Sequence, residues 1–167
     1  GTGVTTAAAL ANTGNLVLLS QASSTTAVSQ IDLTTSSDYD DYILNMTAIP
    51  ENDNTHIFCR VLVGGSVQTG SGNANSDTTI ALHSEYGAGN GTDEGLSFTM
   101  NMVNINSTNK PKDFHYSIVI DNTSNNHLGH IGTARYNSNA NVVSGFRLFM
   151  NSGNISRYDY RFYGMRK

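Results

Sequence analysis

Few residues in this chain have the type and spacing that chemistry demands. His127 and His130 stand three apart, a separation that invites a metal reading. The residues around them have the pattern of a strand, where positions i and i+3 point to opposite faces, so one strand cannot chelate with both. They read as polar surface histidines, and no metal is expected. Asp38, Asp40 and Asp41 gather carboxylates, the ligands calcium prefers, but the central Gly and closing Glu of a calcium loop are missing. A surface Ca²⁺ site and a solvated turn are the two readings there, and the turn is the simpler. Asp93 and Glu94 could supply half of a glycoside-cleaving carboxylate pair, with a distant acid as partner. Nothing in the sequence brings a second acid to them.

The glycines between Gly87 and Gly95 suggest a phosphate cradle, yet no helix follows to aim its N-terminus at an anion. That stretch reads as a flexible loop. No nucleophile elbow and no HExxH zinc motif is present, and the scattered serines, aspartates and histidines argue for no triad. Tyr86, Tyr136 and Tyr158 could stack on sugar rings, although tryptophan, the strongest such platform, is absent. The simpler reading makes them core or rim residues. Cys59 is the only cysteine, so no intrachain disulfide forms, and on a strand it reads as a small hydrophobe. The sequons at Asn45 and Asn106 are what chance supplies in so Asn-rich a chain. Catalytic, cofactor-binding and metal-ligating residues are all expected to be none.

The elements that would position these residues are strands. In residues 39–65, Tyr42, Leu44, Met46 and Ala48 share one face of a first strand. Ile57, Cys59, Val61 and Val63 share one face of a second, which is nearly apolar on both sides. Between them, residues 50–54 form a polar turn: Pro presets φ, and Asn and Asp tolerate left-handed geometry. The core should be seeded here. Earlier strands are expected at residues 15–21 and 27–33, and a short one at residues 78–85. Leu96, Phe98, Met100 and Met102 alternate, as do Phe114, Tyr116, Ile118 and Ile120. A weaker strand covers residues 127–136, and residues 142–150 put Val142, Phe146, Leu148 and Met150 on one side. The last strand aligns Tyr158, Tyr160 and Phe162. Residues 69–77 read as a mobile polar loop. No helical period of ten residues appears. About nine or ten short strands at near-regular spacing predict an all-β, antiparallel β-sandwich of jelly-roll type.

Composition supports this class. Charged residues make up 13% of the 167, with a formal net charge of −4, against a usual charged share of about 25%. Polarity comes from Asn, Ser, Thr and Gly, which compete with helical backbone bonds and favour turns and strands. With no basic cluster beyond Arg161 and the terminal Arg166-Lys167, no nucleic-acid partner is expected. No apolar run of about 18 residues exists, so no membrane insertion is expected. Residues 1–14 are small and low in complexity and read as an N-terminal arm or linker, leaving residues 15–167 as a single β-sandwich domain. The chain opens at Gly1 without a methionine and shows no signal-peptide pattern, so it reads as a processed or partial chain.

Several short segments form a pattern: Ile31-Asp32-Leu33, Tyr39-Asp40-Asp41-Tyr42, Pro50-Glu51-Asn52-Asp53, and Phe58-Cys59-Arg60 through Gly64-Gly65. Near the end come Phe146-Arg147-Leu148, Ser152-Gly153-Asn154-Ile155 and Arg161-Phe162-Tyr163-Gly164-Met165. Together they resemble a family of bacteriophage virion proteins common in marine and cyanobacterial phages. Leu33 stands where the family more usually has an aromatic, and residues 69–112 have no counterpart. The resemblance implies a non-enzymatic structural protein on the virion surface, of tail-fibre or head-fibre type. A capsid decoration (cement) protein is the alternative within that class, and a lectin-like module or a hydrolase the rival outside it. No catalytic residue and no cofactor follows from it. The expected partners are two further copies in a homotrimer, other virion proteins of capsid or tail, and a host-surface glycan as a candidate.

Overall fold

The computed structural model describes residues 15–69, 79–82, 86–122, 124, 126–137 and 140–166. The expected arm, residues 1–14, and all but the first residue of the 69–77 loop lie outside these described residues.

Two antiparallel sheets pack face to face. The six-stranded sheet runs in the order β1 (Leu16–Ser24), β11 (Ile155–Arg166), β3 (Tyr39–Pro50), β7 (Gly95–Val103), β8 (Lys112–Asp121) and β9 (His127–Tyr136). The second sheet runs β2 (Ile31–Thr34), β10 (Gly145–Met150), β4 (Ile57–Val63) and β5 (Ser66–Val67), and β6 (Ile80–Ala81) also pairs with β4. No helix occurs among the described residues. The fold is the antiparallel β-sandwich that the alternation predicts.

The core forms where the apolar face of each strand meets the other sheet. Tyr42, Leu44, Met46 and Ala48 of β3 are buried, as are Phe98, Met100 and Met102 of β7 and Phe114 and Ile118 of β8. Ile57, Cys59 and Val61 of β4 face them with Phe146 and Leu148 of β10. Phe146 is the central contact between the layers. Its ring centroid lies 5.9 Å from Phe114, 6.3 Å from Phe162 and 6.5 Å from Tyr42, each in an edge-on geometry, the arrangement aromatic quadrupoles favour.

The structure supplies the strand pairings, which the alternation leaves open, and corrects several local expectations. The two strands of residues 39–65 do not pair with each other: β3 lies in one sheet and β4 in the other, and the turn carries the chain between layers. Each strand then finds partners from distant sequence, β3 with β7 and β11, β4 with β10. The strand expected over residues 27–33 is confined to Ile31–Thr34, preceded by one bridge from Val28 to Ile155. Val142 is exposed and Val143 is buried, because the chain there is not yet a strand. It is instead held by Val143 N–H to Ile105 and Ser144 N–H to Leu62.

The glycine-rich stretch after Tyr86 is also no free loop. Thr55 and Ala88 exchange backbone hydrogen bonds of 3.1 and 2.8 Å, Gly89 N–H reaches the Asp121 carbonyl, and Ala88 is fully buried. Gly87 is needed for this closeness. A Cβ at that position would sit 2.2 Å from the backbone carbonyl carbon of Asn54. The apolar outer side of β4 has a local explanation too: Phe58 packs on Phe149, and the Arg60 guanidinium lies 4.8 Å above the same ring.

Candidate functional site

The outward face of the six-stranded sheet is where the structure gathers exposed polar side chains. Because side chains alternate along each strand, burying one row commits the next to this face. The pairings place those exposed residues side by side. Gln21, Arg161, Asn45, Thr99, Ser117 and Ile131 form one row across β1, β11, β3, β7, β8 and β9. Ser23, Asp159, Thr47, Ser97, Val119 and Gly129 form the next.

Two depressions lie over these rows, of about 800 and 650 Å³. They share Thr47, Ser97, Val119 and Asp159 and so make one continuous trough. Within it, Thr99 Oγ1 donates to Asn45 Oδ1 at 2.7 Å, and Arg161 pairs with Asp159 at 3.2 Å. The side chains are thus partly held in place, and the charges within the rows largely cancel. Val119 and Ile131 supply apolar surface at the β8–β9 end, with Ile131 83% exposed.

The residues singled out for chemistry do not converge. His127 accompanies Asp121 in an ion pair at the β8–β9 turn, and the carboxylate raises the imidazole pKa. His130 sits on the opposite side of β9, with its ring 6.0 Å from that of Tyr116. The alternation that separates them in sequence separates them in space. Asp38 accepts from the Ser36 hydroxyl at 3.1 Å, whereas Asp41 accepts from the Asn104 backbone N–H at 2.8 Å. Neighbouring strand residues face opposite sides, which parts the Asp40 and Asp41 side chains. Glu94 accepts from the Gly91 N–H at 2.8 Å, so it closes its own loop. Among the described residues no group of three or more His, Cys, Asp or Glu could hold a metal ion.

The tyrosines divide. Tyr136 is buried, with its hydroxyl near Asn141, and offers no platform. Tyr158 stacks on Tyr160 at 6.2 Å and borders the trough. Tyr86 is 46% exposed and lies elsewhere. Cys59 is fully buried, and burial pushes its thiol pKa up to about 12, which removes the thiolate a nucleophile requires. Lys112, given no role by its sequence context, is buried at the start of β8. Its Nζ donates to the Lys110 carbonyl at 3.3 Å, and desolvation lowers its pKa.

The alternation leaves Asn45, Thr47, Ser97, Thr99 and Ser117 opposite the apolar faces, strand by strand. It does not show that they adjoin. The signal was the run of Ser, Thr and Asn at alternate positions in three separate strands, but only the register turns it into a surface.

Fold and site define this chain as an antiparallel β-sandwich with a polar trough across its larger sheet. No family model matches the chain, and no curated protein matches it. Among solved structures it is similar to the marine PL-14 alginate lyase from Aplysia kurodai. That likeness has a TM-score of 0.35 and 16% identity over 80% of this chain and 72% of the other. At that level it transfers neither activity nor site.

Proposed function

We propose that this chain is a non-enzymatic structural protein of a bacteriophage virion, displayed on the particle surface as a tail-fibre or head-fibre domain. One observation carries the reading: the residues through which the sequence resembles phage virion proteins are the ones that hold the sandwich together. Asp32 and Arg147 form a bidentate pair at 2.7 Å that ties β2 to β10. The Tyr42 hydroxyl donates to the Ser36 carbonyl at 2.6 Å and accepts from the Ser36 N–H at 3.0 Å. Gly164 lets the Tyr39 ring lie directly against the strand, since a Cβ there would be 2.5 Å from it. What is shared is therefore a scaffold pattern, without a catalytic constellation.

A capsid decoration protein is the second reading, within the same class that the resemblance implies. A homotrimer remains part of this proposal, on the resemblance to fibre-like proteins. The experiment is gold labelling of intact particles with an antibody to this chain, read by electron microscopy. Label on fibres or tail is the expected result, label spread over the capsid selects the decoration protein, and absence of the chain from purified particles overturns both.

A further inference from the structure

We infer that the trough across the six-stranded sheet is a binding site for an extended, neutral oligosaccharide lying perpendicular to the strands. This goes beyond a structural role and does not depend on where the chain sits in a particle.

The geometry comes first. Neighbouring strands lie about 4.8 Å apart, so a row spanning six strands extends about 24 Å and offers a new side chain at each step. In the row Gln21, Arg161, Asn45, Thr99, Ser117, every one of these side chains can donate or accept a hydrogen bond. A pyranose chain repeats on a similar length scale and presents hydroxyls at each unit. Sugar and sheet can therefore stay in step over several residues. A peptide strand would gain nothing comparable here, because backbone donors and acceptors lie at sheet edges and not on a sheet face.

The chemistry selects the class of sugar. Hydroxyl and amide groups match sugar hydroxyls, while the exposed Val119 and Ile131 at one end match the apolar face of a pyranose ring. Arg161 is engaged by Asp159, and Glu94 and Asp121 border the same trough. With Arg157 as the other cation there, the lining carries two arginines against three carboxylates and does not attract a polyanion. Uronate polymers and nucleic acids are disfavoured on that ground. The Asn45–Thr99 hydrogen bond fixes two of the contact groups before any ligand arrives, which lowers the ordering cost of binding.

Gly129 gives a clean test. It ends the second row on the edge strand β9, and a Cβ there would meet nothing within 4 Å. The Gly129→Trp variant should fold and fill the end of the trough. The purified intact chain and its variants are titrated calorimetrically with neutral hexose oligosaccharides of two to eight units and with oligouronates of equal length. Expected is binding to at least one neutral series, tightening with length to about five units, the span of the rows at about 4.8 Å each. Gly129→Trp and the double variant Thr47→Ala/Ser97→Ala should each weaken it at least tenfold, while Thr34→Trp on the opposite sheet should not. Absence of binding across all neutral series, preference for uronates, or full binding by Gly129→Trp would overturn the assignment. So would sedimentation showing that Gly129→Trp dissociates an oligomer, since a second copy would then cover this face.

Discussion

Tyr42 shows how much a single side chain does in this protein. Its ring stacks on Phe162 at 5.3 Å inside the core, while its hydroxyl reaches the 36–39 turn and meets Asn106 Nδ2 at 3.3 Å. Removing only the oxygen leaves the packing and strands the Ser36 N–H, so Tyr42→Phe should cost about 1–3 kcal/mol in urea unfolding. Cys59 gives a second expectation. Its folded pKa is raised from 9.0 to about 12, so the folded state holds the proton where the unfolded state would release it. The unfolded chain then binds fewer protons, and stability falls as pH rises from about 9 towards 12, being complete below that window. Folded protein should resist a thiol-reactive dye at pH 8 and label fully in denaturant. Rapid labelling without denaturant would show the thiol accessible.

At the scale of elements, the sequence told most about faces and least about neighbours. The alternation in β3, β7 and β8 named Leu44, Phe98, Met100, Phe114 and Ile118 as buried, and they are. Period two depends only on local geometry, so one strand suffices to read it. Pairing depends on loop paths and on the other strands, so alternation alone does not tell that β3 and β4, neighbours in sequence, lie in different sheets. The polar trough was hidden for the same reason: its rows combine residues from β1 to β9. The 87–95 stretch was misread as flexible because glycine permits close approach as well as motion, and here the former holds. Gly87→Ala should therefore cost about 1–3 kcal/mol, because a Cβ 2.2 Å from the Asn54 backbone forces a shift. Gly129→Ala, in open space, should change the thermal midpoint little. Equal effects of the two substitutions in parallel melts would contradict the close contact.

At the scale of the whole molecule, the buried hydrophobic residues run from Ile31 to Phe162, and β1 closes one edge by pairing with β11. The Arg166 N–H still reaches the Asn15 carbonyl at 2.8 Å, so the sandwich is tied off at both ends of this span. Residues 1–12 precede the first of these contacts in the sequence. Their composition, with Val4 and Leu10 among alanines and threonines, is the ground on which the sequence reads as an arm or linker. On the virion reading, that segment tethers the domain to a neighbouring subunit or an upstream fibre segment. The whole expected arm, residues 1–14, would reach about 45 Å when extended. Deleting residues 1–12 should leave a single cooperative thermal transition, because every layer of the core is retained. Sedimentation of the full chain at micromolar concentration should give a trimer, and a monomer would remove threefold packing from the proposal. Particles assembled with the truncated chain should lack it. Normal incorporation would move the docking contact from the arm to the sandwich, with the Phe58–Phe149 face as the surface to alter next.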